Sequence, residues 1–105
     1  MKICNLLDLH DGAGRAFPVS EKLEIFLIRQ GQRVFAYRNS CPHTGQTLNW
    51  LPDQFLDDSG SYIQCSGHDA MFRIVDGYCV SGPCIGQSLA PVTVVVIDGQ
   101  VISRP

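Results

Sequence analysis

The chain has 105 residues, of which 45% are hydrophobic and 17% charged, with a formal net charge of -2 and an isoelectric point near 5.8. This composition predicts a single globular domain and excludes an intrinsically disordered chain. Lys and Arg form no cluster, no apolar run is long enough for a membrane span, and no signal-peptide core follows Met1. We therefore expect a cytoplasmic protein with no nucleic-acid and no membrane partner.

Short alternating segments rich in β-branched and aromatic residues predict an all-β fold without a long amphipathic helix. Compact turns at Gln30-Gly31-Gln32, Asp76-Gly77 and Asp98-Gly99 predict three β-hairpins. In chain order, the predicted strands are 2–9, 22–29, 33–38, 62–64, 71–75, 78–80, 92–97 and 100–103. The predicted core consists of Ile25, Phe26, Ile28, Phe35 and one face of 92–97.

The segment 39–60 is too long for an ordinary connection in a domain of this size, and loops of such length are usually functional or disordered. Its apolar side chains predict that it packs against the sheets, and they are Trp50, Leu51, Phe55 and Leu56. A functional loop is therefore the better interpretation.

Two short motifs, Cys41-Pro42-His43 and Cys65-Ser66-Gly67-His68, each place a thiol and an imidazole on one loop. Twenty-one residues separate His43 from Cys65. Thiolates suit iron–sulfur clusters, and imidazole suits iron or zinc, so the four side chains predict a metal site. A Cys₂His₂ set also fits a structural zinc ion. The mixed pairing on each loop is what a two-iron cluster needs if one iron takes both thiolates.

The segments from Cys41 to Leu48 (CPHTGQTL) and from Cys65 to Phe72 (CSGHDAMF) resemble the two cluster-binding loops of the Rieske [2Fe–2S] family. Asp76-Gly77 and Ser81-Gly82-Pro83 resemble its hairpin turn and proline loop. The resemblance implies a β-sandwich of three antiparallel sheets with a two-loop cluster-binding tip. It places the cluster-binding loops at about 39–50 and 64–72 and the proline loop at about 80–85, within one Rieske domain over 1–105.

By this resemblance, the chain binds one [2Fe–2S] cluster, with Cys41 and Cys65 on the inner iron and His43 and His68 on the outer iron. The implied function is the transfer of single electrons from a reductase to a terminal oxygenase or a similar redox enzyme. The chain itself would be an electron carrier or accessory redox subunit rather than an enzyme. The alternatives are a small subunit of a reductase complex of the nitrite reductase type and a structural Cys₂His₂ zinc domain.

Several positions depart from the high-potential members of that family. Their additional cysteine pair, which forms a disulfide, is replaced here by Gln46 and Gly67, and their Ser and Tyr hydroxyls are replaced by Ala70 and Phe72. Asp69 stands where glycine is usual and adds a negative charge. Fewer hydrogen bonds to the cluster sulfurs stabilise the reduced state less, so we predict a low reduction potential.

Cys79 and Cys84 flank the proline loop and allow a disulfide, an additional metal site or two buried thiols. A reducing cytoplasm favours thiols. A redox or iron sensor that uses this pair is a further hypothesis. Cys4 is predicted to be core, and His10 is predicted to be solvent-exposed.

Overall fold

The computed structural model describes residues 1–42, 44–49, 51–67 and 69–104, so His43, Trp50, His68 and Pro105 lie outside the described residues. The described residues form short strands and one turn of 3₁₀ helix at Leu6–Asp8. In chain order the strands are β1 (Lys2–Asn5), β2 (Gly14–Ser20), β3 (Leu23–Gln30), β4 (Arg33–Arg38), β5 (Tyr62–Gln64), β6 (Met71–Arg73), β7 (Cys79–Ser81), β8 (Val94–Ile97) and β9 (Gln100–Ser103).

The strands form three antiparallel sheets of three strands each. The terminal sheet has the order β1-β9-β8, the central sheet β2-β3-β4, and the motif sheet β5-β6-β7. This confirms the predicted all-β fold with three antiparallel sheets. Within the described residues, no helix is both long enough and apolar enough to span a bilayer.

All three predicted hairpins are present. Gln30 pairs with Arg33 in the central sheet, and Ile97 pairs with Gln100 in the terminal sheet. Asp98 and Gly99 both have positive φ, 50° and 72°, as a type I′ turn requires. The Asp-Gly turn signal therefore identified the hairpin correctly, since few residue pairs adopt two left-handed conformations in succession.

The prediction misses one strand and misplaces several strand ends: β6 ends at Arg73 rather than at residue 75, and β8 begins at Val94 rather than at residue 92. The segment 14–20 was not predicted as a strand, because Gly14 and Pro18 weaken the signal, yet it forms β2 at the edge of the central sheet, where proline is tolerated. The first strand ends at Asn5 rather than at residue 9. The carboxylate of Asp8 accepts a hydrogen bond of 2.9 Å from the Asn5 backbone N–H and stabilises the 3₁₀ turn that follows.

Strand β3 is buried on both faces, because a separate core lies on each side of it. Ile25 and Leu27 contribute to the core shared with the terminal sheet, whereas Phe26 and Ile28 contribute to the core shared with the motif sheet. The predicted core residues Ile25, Phe26 and Ile28 are confirmed as buried, as is Cys4. Phe35 is only half-buried.

The long segment packs against the sheets as predicted. The ring of Phe55 is fully buried and stacks on that of Phe26, with centroids 4.5 Å apart and planes 10° from parallel. Leu56 forms an isolated bridge with Ile63 in the motif sheet. Leu51, by contrast, points to solvent. The segment that begins with the first motif is thus held against the central sheet by Phe55 and against the motif sheet by Leu56.

Candidate metal centre

The first motif loop, from Cys41 to Leu48, follows the end of β4, and two backbone hydrogen bonds close its turn between Cys41 and Gln46. The Cys41 N–H donates to the Gln46 carbonyl at 2.7 Å, and the Cys41 carbonyl accepts from the Gly45 N–H at 2.7 Å. Gly45 has φ of 77°, a left-handed conformation that glycine adopts without steric cost. The Cys41 side chain is 1% exposed. The loop therefore directs its thiol into the core.

The second motif loop, from Cys65 to Ala70, connects β5 to β6 and repeats this arrangement. The Cys65 N–H donates to the Ala70 carbonyl at 2.9 Å, and the Cys65 carbonyl accepts from the Asp69 N–H at 2.9 Å. The partners lie five and four residues after the cysteine, as in the first loop. The Cys65 side chain is 2% exposed. Two loops of different sequence thus hold their cysteines in the same backbone frame.

Asp69, the departure noted in the sequence, occupies the position that Gly45 occupies in the first loop. Its φ is 55°, so it adopts the left-handed conformation itself. Aspartate is among the few non-glycine residues that tolerate this region. The substitution therefore preserves the loop geometry and leaves a carboxylate at the exposed end of the loop.

A direct hydrogen bond joins the two motif loops. The Ser66 N–H donates to the Leu48 carbonyl at 2.8 Å, and the Leu48 side chain is fully buried. Cys41 and Cys65 belong to the same buried cluster of side chains. The structure thus brings two of the four predicted site residues together. His43 and His68 lie outside the described residues, and within the rest of the chain no three metal-ligating side chains converge.

Asn39 is a residue that the sequence analysis missed. It is the only buried polar side chain among the described residues. Its Oδ1 accepts from the Leu48 N–H at 2.9 Å, and its Nδ2 donates to Glu24 Oε2 and Asn49 Oδ1, each at 2.9 Å. It therefore fixes both ends of the segment that contains the first motif. Its place between the end of a strand and Cys41 was the one signal available in the sequence.

Replacing Asn39 with alanine should destabilise the first motif loop. The buried Leu48 N–H loses its acceptor, which costs about 1–3 kcal/mol of unfolding free energy. Ser40→Ala is a matched control, since the Ser40 hydroxyl makes one weak bond of 3.3 Å at the surface. Denaturant unfolding of both variants measures the difference. Equal effects of the two substitutions would contradict the role of Asn39.

A third loop approaches the second motif from the end of β7. A Cβ added to Gly82 would lie 2.8 Å from the Ala70 Cα, so this glycine is packed against the backbone of the second motif loop. Pro83, the proline of this loop, is exposed. Ile85 is exposed as well, whereas Cys84 is buried beside Cys79. The third loop therefore contacts the second motif loop through Gly82.

The chemistry of the described residues fits a sulfur-ligated metal group. The thiols of Cys41 and Cys65 are buried in apolar surroundings, and no buried oxygen or nitrogen side-chain atom of the described residues lacks a hydrogen-bond partner. Thiolates select iron–sulfur clusters and zinc over hard cations such as Mg²⁺ or Ca²⁺. The burial also limits the access of water, which tunes the potential of such a cluster.

Comparison with known proteins identifies the family. The family model for the Rieske [2Fe–2S] domain matches residues 1–98. A search of curated protein sequences found no match.

Three solved structures are similar over nearly the whole chain. The ferredoxin of carbazole 1,9a-dioxygenase from Nocardioides aromaticivorans IC177 is 25% identical with a TM-score of 0.81, covering 100% of this chain and 96% of the other. A chain from a complex of reduced oxygenase and oxidized ferredoxin in carbazole 1,9a-dioxygenase is 26% identical with a TM-score of 0.81, covering 99% and 100%. A putative nitrite reductase NADPH small subunit is 20% identical with a TM-score of 0.76, covering 100% and 97%. Since the family model matches 1–98, which include both motif loops and strands of all three sheets, the chain belongs to the Rieske [2Fe–2S] family.

Proposed function

We propose that this protein is an electron carrier that takes single electrons from a reductase and passes them to a terminal oxygenase or a similar redox enzyme. The observation that carries the proposal is the pair of motif loops, which hold Cys41 and Cys65 in the same backbone frame and are hydrogen-bonded side by side. The ferredoxin relatives, at 25% and 26% identity over the whole chain, support this function. The chain itself would catalyse no reaction.

In this proposal, Cys41 and Cys65 bind the inner iron as thiolates, and His43 and His68 bind the outer iron as imidazoles. When bound, the [2Fe–2S] cluster accepts and releases one electron. The burial of both cysteines supports their assignment to the inner iron. The apolar core around them excludes water, and the fixed loop backbones limit reorganisation when the charge changes.

The proposal includes a low reduction potential. Ala70 and Phe72, which stand where high-potential relatives carry hydroxyl groups, are both fully buried and offer no side-chain donor. Without such donors, the extra negative charge of the reduced state is less stabilised. A potential at the low end of the Rieske range follows, and a strongly positive midpoint in a redox titration would contradict it.

The proposed function is tested on protein purified without oxygen. We expect a reddish-brown protein with two irons and two acid-labile sulfides per chain, a reduced EPR signal of low average g, and uptake of one electron per cluster. The reduced protein should then deliver that electron to an oxygenase component. A colourless protein with one equivalent of zinc would instead indicate the structural Cys₂His₂ alternative.

A small subunit of a nitrite reductase is the second candidate, because such a protein shares the fold. At 20% identity this likeness supports the architecture alone. The two functions differ in assembly: a ferredoxin exchanges between partners, whereas a subunit remains in a stoichiometric complex. Size-exclusion chromatography of the native protein distinguishes them.

The proposal also includes one Rieske domain over 1–105 and a cytoplasmic location. A reducing cytoplasm suits the buried thiols of this chain.

Two substitutions at Asp69 should separate its charge from its backbone conformation. Asp69→Asn removes the charge but keeps a residue that tolerates positive φ. Asp69→Gly removes the charge and also the conformational strain of a positive φ. We expect both variants to raise the reduction potential, because a negative charge near the cluster is lost. Only Asp69→Gly should raise the unfolding free energy, by about 0.5 kcal/mol. Redox titration and denaturation measure the two effects. An unchanged potential in both variants would contradict the electrostatic role.

A further inference from the structure

Two cysteines outside the metal centre lie in direct contact. The Sγ atoms of Cys79 and Cys84 are 3.2 Å apart, both side chains are buried, and both are free thiols. Their backbones are held by one residue: the Cys79 N–H donates to the Gln87 carbonyl, and the Gln87 N–H donates to the Cys84 carbonyl, each at 2.9 Å. The two sulfurs therefore face one another across a loop that backbone hydrogen bonds close.

We propose that Cys79 and Cys84 form a second redox site of this chain, a dithiol that is converted reversibly to an intramolecular disulfide. Since a disulfide has an S–S length of about 2.05 Å, the sulfurs must approach by only about 1.2 Å. The two cysteines are five positions apart in a loop whose middle residues, Ser81 to Pro83, are exposed and include Gly82 at φ 98°. The loop can adjust at these positions.

The oxidant is hydrogen peroxide, which is small enough to enter a buried site. One sulfur displaces water from the peroxide and becomes a sulfenic acid, and the second sulfur then displaces its hydroxyl group as water. In total, two S–H bonds and the O–O bond break, one S–S bond forms, and both thiol protons leave in the two water molecules. A dithiol reductant reverses the change by thiol–disulfide exchange.

The surroundings make this site selective for small oxidants. Burial raises the pKa of the Cys84 thiol to about 12, and the neighbouring Cys79 sulfur contributes to this rise through a hydrogen bond. The Cys79 thiol also contacts the Ser81 carbonyl at 3.2 Å. Burial of both sulfurs excludes large oxidants, so only a small oxidant can reach the pair.

The site is also connected to the second motif loop. Gly82, between the two cysteines, packs on Ala70, whose carbonyl accepts the hydrogen bond from the Cys65 N–H. Formation of the disulfide draws together the two cysteines that flank Gly82, and it should therefore change the packing of Gly82 against Ala70. The oxidation state of the dithiol should thus alter the visible circular dichroism of a cluster held by Cys65.

Trypsin separates the cysteines for a direct test. Cleavage after Lys and Arg places Cys4 on peptide 3–15, Cys41 and Cys65 on peptide 39–73, and both Cys79 and Cys84 on peptide 74–105. The holoprotein is treated with one equivalent of hydrogen peroxide, denatured, alkylated and digested. We expect peptide 74–105 to lose two hydrogens and resist alkylation, while peptide 3–15 remains fully alkylated. Treatment with dithiothreitol should restore alkylation.

Variants define the outcomes. Cys79→Ser and Cys84→Ser should each prevent the loss of two hydrogens, whereas Cys4→Ser should leave it unchanged. The dichroism change on oxidation should disappear in the double variant of Cys79 and Cys84. Full alkylation of peptide 74–105 after the visible absorption has bleached would overturn the proposal, since the oxidant would then have acted at the metal ligands. The peptide readout does not depend on electron transfer, so it fails or succeeds independently of the proposed function.

Discussion

Cys41→Ser and Cys65→Ser variants should be purified colourless, with almost no iron or acid-labile sulfide. Each substitution replaces a soft thiolate with a hydroxyl oxygen, which is a poor ligand for an iron–sulfur cluster. The same loss is expected for His43→Ala and His68→Ala, because each removes one of the four proposed ligands. Iron and sulfide analysis per chain, together with visible absorption, measures the effect. It should be close to complete, since metal binding and folding are coupled in small metalloproteins.

Cys4→Ser is the matched control for this experiment. Cys4 is also a buried thiol, but it belongs to the core of the terminal sheet, on the other side of β3. The introduced hydroxyl destabilises that core by about 1–3 kcal/mol without removing a ligand. This variant should therefore keep a full cluster. If it lost iron to the same extent as Cys41→Ser, the losses would reflect unfolding, and the proposed ligand assignment would lack support.

Gly82→Ala should be the most damaging single methyl addition in the third loop. The new Cβ would lie 2.8 Å from the Ala70 Cα and 3.2 Å from the Ala70 backbone nitrogen, where no flexible side chain can move aside. The clash costs about 1–3 kcal/mol in addition to the strain of a positive φ. Because Ala70 closes the second motif loop, we also expect faster release of the cluster.

Gly86→Ala provides the comparison within the same loop. Gly86 has a similar φ of 91°, but a Cβ added to it would meet no atom within 4 Å. It should therefore show the backbone strain, about 1–2 kcal/mol, without the clash. Denaturation midpoints and the rate of bleaching in denaturant compare the two variants. Equal midpoints and rates would mean that the contact between Gly82 and Ala70 does not hold the second motif loop.

The parts of the fold that depend on local chemistry could be predicted from the sequence. Asp98-Gly99 identified a hairpin because adjacent positive φ values strongly favour this pair. Strand β2 was missed, because its partner β3 and its edge position, rather than its own residues, make Pro18 acceptable there. The 3₁₀ turn after Asn5 was missed for a related reason, since it is stabilised by a side-chain bond from Asp8 and by a backbone bond from Leu6 to Gly99, which is distant in sequence.

The candidate site shows the same division. The paired motifs predict Cys41, His43, Cys65 and His68 as ligands. The structure places Cys41 and Cys65 in one buried cluster, and the family is confirmed. The role of Asn39 could not be predicted, because its partners Glu24 and Asn49 are distant in sequence or lie within an irregular segment. The equivalence of Gly45 and Asp69 was also invisible, since it exists only in the backbone conformation of the two loops.

Strand β3 lies between two apolar cores, and this has a consequence for how the molecule comes apart. The terminal sheet cannot separate from β3 without exposing Ile25 and Leu27 to water. The motif sheet cannot separate from β3 without exposing Phe26 and Ile28. In either case β3 loses the packing on one face, while the core on its other face still depends on the same strand. The two cores should therefore unfold as one cooperative unit. A destabilising substitution in the core of the terminal sheet should also destabilise the metal centre, because both cores share β3.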